Sequence, residues 1–244
     1  PDERADFNDF FHNQATAISF RNPLDKFDIR MQARVLVASP PPQADITPRI
    51  AKLGDEVIDC WTLDPEAPHH FLGDSPRLGP SADIAEWVRT MIKPDMSIRE
   101  AATTVCDNVH RQFTYLPGAT KVDTSPSEAF KLKKGVCQDF ANLFICLARL
   151  LGIPARYRVG YVFTGADYEN KMQSDASHAW VEIYIPYLGW RGFDPTNGIL
   201  VTQDHIRVAC GRNYLDATPT AGTIYRGGGK ETLRVQVTMN EVFG

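Results

Sequence analysis

The N-terminal part of the chain alternates between apolar and polar residues. In FDIRMQARVLVAS (residues 27–39), apolar side chains recur at every second position from Phe27 to Val37, with mostly charged side chains between them. Because neighbouring side chains of a strand point to opposite faces, this period of two predicts a half-buried β-strand. The preceding stretch QATAISF (residues 14–20) is expected to pair with it as a hairpin across RNPLDK. Residues 1–75 are therefore predicted to form a small β-rich domain.

The middle of the chain follows the period of an amphipathic helix instead. Three helix starts are each signalled by a serine, and two of these serines are followed three residues later by a glutamate, as in a capping box. They are Ser81, Ser97 with Glu100, and Ser125 with Glu128. The longest apolar stripe, with a spacing of three or four residues, runs from Val136 to Leu151 and stops before Gly152 and Pro154. It predicts a long buried helix.

After this helix the period of two returns, in ARYRVGYVF, SHAWVEIYI, GWRGFD and TLRVQVTM. Helices followed by strands, rather than alternating with them, predict an α+β fold with an antiparallel sheet. The segment DPEAPHHFLGDSPRLGP (residues 64–80) is rich in proline and glycine. It is therefore predicted to separate the N-terminal domain from a larger domain of residues 76–244.

Composition and charge narrow the class of protein. The 244 residues carry a formal net charge of −4 and are 43% hydrophobic, so we expect a sizeable core and no nucleic acid or membrane partner. No run of about 18 apolar residues occurs and no leader precedes Pro1, although the missing initial Met indicates a processed or truncated product. Five cysteines without a C-x-x-C pair argue against a disulfide framework and favour a reducing, cytoplasmic setting.

Cys137 opens the long predicted helix, in the stretch KKGVCQDFANLF. The N-terminus of a helix presents free backbone N–H groups and the positive end of the macrodipole, and both favour a thiolate. A free cysteine is nevertheless more often a small packed hydrophobe. Cys137 is thus a candidate nucleophile that still needs a base.

A predicted hairpin supplies the base. In SHAWVEIYIPYLGWRGFDPTNG, two alternating strands flank a turn at Pro186. If the turn centres on Pro186, His178 lies opposite Asp194 on the same face, with Cβ atoms roughly 5 Å apart. A shifted centre brings Pro195 or Thr196 opposite His178 instead. A carboxylate beside an imidazole fixes its tautomer and stabilises the imidazolium, so the pair would complete a thiol triad with the cysteine.

Three stretches resemble the bacterial transglutaminase-like proteins of the papain-like superfamily. They are GVCQDFANLFICLARLLGIPARYRVGY, SHAWVEIYIPYLGWRGFDPTNG and HIRVACGRNYLDATPTAGTIYRGGG, and the similarity runs from about residue 80 to the C-terminus. The front part, with DFNDFFHN ahead of alternating strands, resembles the β-rich N-terminal domain often attached to these proteins, with one or more strands missing at its start. The resemblance implies a papain-like core with the nucleophile at the N-terminus of a helix packed on an antiparallel sheet. It also implies that Cys137 is the nucleophile, His178 the general base and acid, and Asp194 the group that orients the histidine.

The implied chemistry takes place on an amide carbonyl of a peptide or protein, through a thioester. Ammonia or an amine leaves, and then either water attacks, as in a protease or deamidase, or an amine attacks, as in cross-linking. No cofactor is implied, and no clustered acidic loops indicate calcium sites. The chain departs from its relatives at Asn142, where a histidine is common. The alternative is a non-catalytic protein- or peptide-binding module that retains the fold.

Accessory groups of the site are candidates only. An oxyanion needs two donors, and the backbone N–H of Cys137 is the natural first. The side chains of Gln138 and Tyr115 are candidates for the second, and each is equally expected to be packing. Trp180 alternates onto the face of His178 and is a candidate shield against water, although a strand tryptophan is ordinarily a core residue.

For other polar residues the sequence supports a functional role less strongly. Asp139 is expected to cap the long helix rather than to face the sulfur. Arg212 and Asp216 are candidates for a substrate cleft, with a surface salt bridge as the somewhat better interpretation. Cys106 and His110 share a predicted helix face, but a closed zinc site needs four ligands, so no metal site is expected.

Overall fold

The structure, a computed structural model, describes residues 1–38, 47–73, 75, 78–163, 177–225 and 232–240. Within these ranges the chain forms, in order, β1 (Glu3–Asn8), β2 (Gln14–Ser19), a 3₁₀ turn (Ile50–Lys52), α1 (Leu53–Ile58), a second 3₁₀ turn (Pro68–Phe71), α2 (Ala82–Met91), α3 (Ile98–Gln112), β3 (Thr114–Tyr115), α4 (Pro126–Leu132), β4 (Lys134–Gly135), α5 (Cys137–Leu150), β5 (Ala155–Val162), β6 (His178–Ile185), β7 (Gly189–Asp194), β8 (Ile199–Leu200) and β9 (His205–Gly211). Among the described residues, no helix has the length and hydrophobicity that crossing a bilayer would require.

One antiparallel sheet and one central helix form the core. The sheet has the strand order β8-β7-β6-β5-β9. Helix α5 packs on β5 and β6, and α2, α3 and α4 pack against α5. Every residue from Asp139 to Ala148 is buried, as expected of a helix that the sheet and other helices cover on several sides. The predicted α+β class with an antiparallel sheet is therefore confirmed.

The serine signals mark the helix starts as the sequence predicts. The hydroxyl of Ser81 accepts the backbone N–H of Ile84 at the start of α2. At α3 and α4 the capping box is reciprocal, because the serine hydroxyl accepts the glutamate N–H while the glutamate carboxylate accepts the serine N–H. Local sequence thus determines where these helices begin.

The predicted strand pairing near the N-terminus is wrong. Strand β2 pairs with β1, and the described residues 27–38 are largely exposed and lie in no strand. The reason is a tight turn in which the Asp9 carboxylate accepts the N–H groups of Phe11 and Asn13, so the chain folds back on β1 at once. An alternating pattern becomes a strand only where a neighbour takes its backbone hydrogen bonds.

A second alternating segment also differs from its prediction. Residues 232–240, which include the whole of TLRVQVTM, lie in no strand. The N-terminal hairpin, in contrast, is tied to the main sheet. The Asn13 side chain donates to the Cys210 carbonyl and accepts the Cys210 N–H, each at 2.7 Å. The boundary near residue 75 stays a prediction.

Candidate active site

Helix α5 begins at Cys137, which is partly exposed. Asp139 caps this helix as expected, since its Oδ2 accepts the backbone N–H of Val136 at 2.8 Å and the hydroxyl of Thr120 at 2.6 Å. A Cβ at Gly135 would lie 2.7 Å from that same Oδ2, so the capping carboxylate requires glycine there. The cap leaves the first helical turn, and with it the cysteine, in a defined position.

The register of the β6–β7 hairpin differs by one residue from the predicted one. Val181 pairs with Phe193 and Ile185 with Gly189, so the turn centres on Tyr187 rather than Pro186. Continued by one step, this register places Trp180 opposite Asp194. His178 is then diagonal to the carboxylate on the same face. The pair forms nevertheless, because Nε2 of His178 lies 2.8 Å from Oδ2 of Asp194.

Asp194 is fully buried and accepts five hydrogen bonds. Its Oδ1 accepts the backbone N–H groups of Thr196 and Asn197, and its Oδ2 accepts Nδ2 of Asn197 at 2.6 Å. The two remaining donors are imidazoles. Burial alone would raise the pKa of this carboxyl, but the charge of His178 and these donors outweigh burial and hold it well below its usual range. Asp194 is therefore an anion.

The turn that follows Asp194 is fastened to helix α3. Nδ1 of His110 lies 2.9 Å from the Thr196 carbonyl. Gly198 has a φ of +67°, and a Cβ there would lie 2.8 Å from the His110 ring. Both contacts fix the loop that caps the carboxylate. His110 thus supports the turn.

His178 interacts with both Asp194 and Cys137. Burial disfavours the charged ring, but the carboxylate and then the cysteine outweigh it, and together they raise the pKa of His178 to about 10. Since Nε2 faces the carboxylate, the other ring nitrogen, Nδ1, is left for the cysteine and the substrate. That nitrogen is buried and has no hydrogen-bond partner among the described residues. The three predicted residues therefore form one electrostatically linked group.

Trp180 shields this group, in the place predicted for it. Its ring stacks on His178, with centroids 6.0 Å apart and planes 26° from parallel. Gly160 on β5 makes room, because a Cβ there would lie 2.7 Å from the Trp180 ring. The tryptophan is fully buried, so one side of the imidazole is closed to water.

His205, at the start of β9, is a site residue that the sequence interpretation missed. Its Nε2 lies 3.2 Å from Oδ2 of Asp194, and its ring meets the edge of Trp180 at 5.2 Å. No spacing in the sequence indicates this contact, because β9 lies at the far edge of the sheet from β7 and β8. The only signal in the sequence was a histidine at the start of the stretch HIRVACG.

The other accessory candidates lie in different places. Gln138 donates its side-chain amide to the Val122 carbonyl at 2.9 Å, which directs that amide toward the 116–124 loop. Tyr115 ends β3, which pairs with the short strand leading into α5, and its ring lies 6.4 Å from that of Phe140. Their roles at an oxyanion stay predictions.

Arg212 and Asp216 are not brought to the triad. They form a two-point salt bridge, at 2.8 and 3.1 Å, just beyond the far end of β9. The Arg212 carbonyl accepts from Arg149, in the last turn of α5, whereas Cys137 is in the first. Their role in a substrate cleft stays a prediction.

Two of the other cysteines, Cys106 and Cys210, are poor nucleophiles. Burial, followed by the charge of Asp194, raises the pKa of Cys106 far above its usual value. Burial likewise raises the pKa of Cys210. Neither would be ionised at neutral pH. Cys137 is partly exposed and lies at a helix N-terminus, whereas Cys60, which is also partly exposed, does not.

One group among the described residues has the side-chain types and proximity of a metal site. Its donor atoms, on His178, Asp194 and His205, lie within 4.8 Å of one another. The carboxylate is an anion and can only accept, so each imidazole nitrogen facing it carries a proton. Hydrogen bonds therefore account for the whole arrangement, and we assign it no metal.

Comparison with known proteins identifies the family. The family model described as the Transglutaminase-like superfamily matches residues 85–195, a range that contains Cys137, His178 and Asp194. An uncharacterised protein of Mycobacterium tuberculosis is 30% identical over 254 residues, which cover 97% of this chain and 77% of that protein. A protein-glutamine gamma-glutamyltransferase of Pseudomonas aeruginosa is 33% identical over 128 residues, or 48% of this chain and 19% of the relative.

A solved structure shows the same fold. A candidate cysteine protease of Cytophaga hutchinsonii is 30% identical, with a TM-score of 0.51 over 61% of this chain and 48% of that one. The chain thus spans about half the length of that protein. The family model, the relative aligned along nearly the whole chain and the shared papain-like fold together show that this chain belongs to the transglutaminase-like superfamily.

Proposed function

We propose that this protein is a thiol enzyme that acts on amide bonds of peptides or proteins through a thioester on Cys137. The observation that carries the proposal is the buried hydrogen bond between His178 and Asp194, 2.8 Å long, beside a cysteine that opens a helix. A nucleophile, a base and a group that orients the base are the parts that covalent acyl chemistry requires.

In the first half-reaction the Cys137 thiolate attacks the carbonyl carbon of the amide, and a C–S bond forms. The oxyanion accepts the backbone N–H of Cys137, which helix geometry leaves without a partner in its own helix. The His178 imidazolium then donates its Nδ1 proton to the leaving nitrogen. The C–N bond breaks, ammonia or an amine departs, and a thioester remains.

In the second half-reaction a nucleophile attacks the thioester. His178, now neutral, accepts a proton from water or from a primary amine, and the sulfur leaves as a thiolate. Water gives a carboxylic acid, whereas an amine gives a new amide. The buried Trp180 covers one side of the ring, so the incoming nucleophile approaches from the other side. The glutamyltransferase relative supports amine transfer, and the protease candidate supports hydrolysis.

The test is incubation with a glutamine-containing protein such as casein, with and without a biotinylated primary amine. We expect incorporated biotin, released ammonia or cleaved peptide from the wild type, and none of these from Cys137→Ala or His178→Ala. Cys60→Ala is the matched control, because Cys60 is also partly exposed but hydrogen-bonds to the Glu56 carbonyl. It should retain full activity.

The form of the product separates the possible reactions. Biotin incorporation identifies a transferase, ammonia without incorporation identifies a deamidase, and fragments identify a protease. Iodoacetamide provides a readout without a substrate. One fast-reacting cysteine that disappears in Cys137→Ala supports the enzyme, whereas uniformly slow thiols and no product would contradict the proposal and favour a binding module.

A further inference from the structure

His205 places a second imidazole on the carboxylate that holds His178. Oδ2 of Asp194 lies 2.8 Å from Nε2 of His178 and 3.2 Å from Nε2 of His205. Both rings are almost completely buried. One oxygen atom therefore accepts hydrogen bonds from two histidines, of which His178 is the one that interacts with the cysteine.

The protonation of His205 follows from its other nitrogen. Nδ1 accepts the backbone N–H of Thr202 at 3.3 Å, and a nitrogen that accepts cannot carry a proton. The proton of the neutral ring is therefore on Nε2, directed at Asp194. His205 thus donates to the carboxylate without bringing a positive charge to it.

Several other groups surround the Asp194 carboxylate, and none of them takes the place of His205. Helix α3 presents the Cys106 thiol, helix α5 presents Cys137, and strand β6 presents His178. The remaining donors to the carboxylate, Thr196 and Asn197, belong to its own turn. That turn already fixes the orientation of Asp194, so the contact with His205 is not needed to hold the side chain.

We propose that His205 is a positioning residue that acts on His178 through Asp194, by taking up part of the negative charge on Oδ2. Oδ2 accepts from His178, His205 and Nδ2 of Asn197. Donors that share one oxygen also share its negative charge, so each is bound less strongly than it would be alone. The His178–Asp194 hydrogen bond is weakened, and His178 releases its proton more readily to a leaving nitrogen. This role goes beyond the proposed triad, in which Asp194 only orients and stabilises the imidazolium.

Proton NMR of the intact chain tests this proposal without any substrate. The His178–Asp194 hydrogen bond should give a strongly downfield proton resonance near pH 6, assigned by its loss in His178→Ala. In His205→Leu this resonance should move further downfield, because Oδ2 then accepts from one ring fewer and its hydrogen bond with His178 becomes stronger. His205→Gln is the matched variant, since its amide nitrogen can reach the place of Nε2, and its resonance should stay where it is in the wild type.

Two outcomes would overturn the proposal. One is a resonance in His205→Leu that coincides with the wild-type resonance, and the other is an equal shift in the Leu and Gln variants. The second result would mean that His205 only fills space. If His205→Leu does not fold, His205→Asn takes its place, because its amide is too short to reach Oδ2.

A kinetic readout rests on the proposed function. We expect kcat of His205→Leu to fall about three- to tenfold with KM unchanged, because a more basic His178 is a weaker acid toward the leaving group. His205→Gln should restore kcat. If the resonance moves in His205→Leu as expected but the wild type turns over no amide, the proposed function is refuted and the inference about His205 stands.

Discussion

At the scale of single residues, the site depends on the charge of one buried carboxylate. Asp194 is completely buried, yet its pKa is held low because ring, amide and backbone donors surround it. A buried anion with this many donors needs no solvent to remain ionised. The negative charge of this side chain is therefore expected to matter more for activity than its volume.

Asp194→Asn keeps the volume and removes the charge. The neutral asparagine amide carries no charge to stabilise an imidazolium. Its Nδ2 group is a donor and takes the place of one of the two oxygens that now accept hydrogen bonds. We expect kcat/KM to fall about 10³- to 10⁴-fold, as when the orienting acid of a triad is neutralised. Steady-state kinetics measures the effect. Asp216→Asn, a carboxylate paired with Arg212 away from the site, should stay within about twofold of the wild type, and equal losses in both variants would contradict this assignment.

At this scale, the sequence indicates some contacts better than others. Cys137, His178 and Asp194 were candidates because a helix start and a hairpin carry them, and the structure brings them together, while their catalytic roles stay a prediction. His205 had no such signal, because two strands lie between β9 and the strand of its partner in the sheet. Arg212 and Asp216 form the salt bridge that was the alternative interpretation of this pair, and their role in a substrate cleft stays a prediction.

At the scale of elements, the start of α5 determines where the sulfur lies. The Asp139 cap is buried at 2% exposure. Burial raises the pKa of this carboxyl, although Thr120 and Val136 oppose the increase by hydrogen bonding. The cap therefore combines a structural role with a position two residues from the nucleophile.

Asp139→Ala removes that cap. We expect the free energy of unfolding to fall by about 1–2 kcal/mol, and kcat/KM to fall about tenfold because the first turn of α5 frays. Urea denaturation and kinetics measure the two effects. Glu128→Ala is the matched control, since the Glu128 carboxylate accepts the backbone N–H of Ser125 at the start of α4 as Asp139 accepts that of Val136. It should lose comparable stability and almost no activity, so equal losses of activity in both variants would argue against the link to Cys137.

The hairpin shows what turn chemistry adds to a strand pattern. Alternation alone correctly indicates that His178 and Asp194 share a face, because a register change of one residue at the turn centre moves the facing partner by two. It does not indicate the centre itself. Pro186 occupies the first position of a three-residue loop, where its fixed φ is favourable, and Tyr187 and Gly189 adopt positive φ values.

At the scale of the whole molecule, the buried pair links stability to pH. The folded-state pKa of His178 is raised, so its contribution to stability is full below its unfolded pKa of about 6.5. It is lost as pH rises toward about 10. The folded-state pKa of Asp194 is lowered, so its contribution is full above about pH 4 and is lost as pH falls.

The free energy of unfolding should therefore be highest between about pH 4 and 6.5, as far as this pair determines it, and should fall between about pH 6.5 and 10. Denaturant unfolding across this range measures it. In His178→Ala the alkaline decline should be much shallower. His12→Asn, at an exposed histidine with a φ of 61°, should keep the wild-type decline, and an unchanged decline in His178→Ala would refute the linkage.

The sequence by itself determined the helix starts, the long buried helix, the class of the fold and the two strands that carry His178 and Asp194. These features depend on residues close together in the chain, where capping and periodicity act. Only the tertiary structure decided the hairpin register, the partner of β2 and the arrival of His205 at Asp194. The two hairpins depend on turn geometry and on which neighbour satisfies the backbone hydrogen bonds, and the contact of His205 depends on how the strands are ordered in the sheet. An alternating pattern carries no information about these choices.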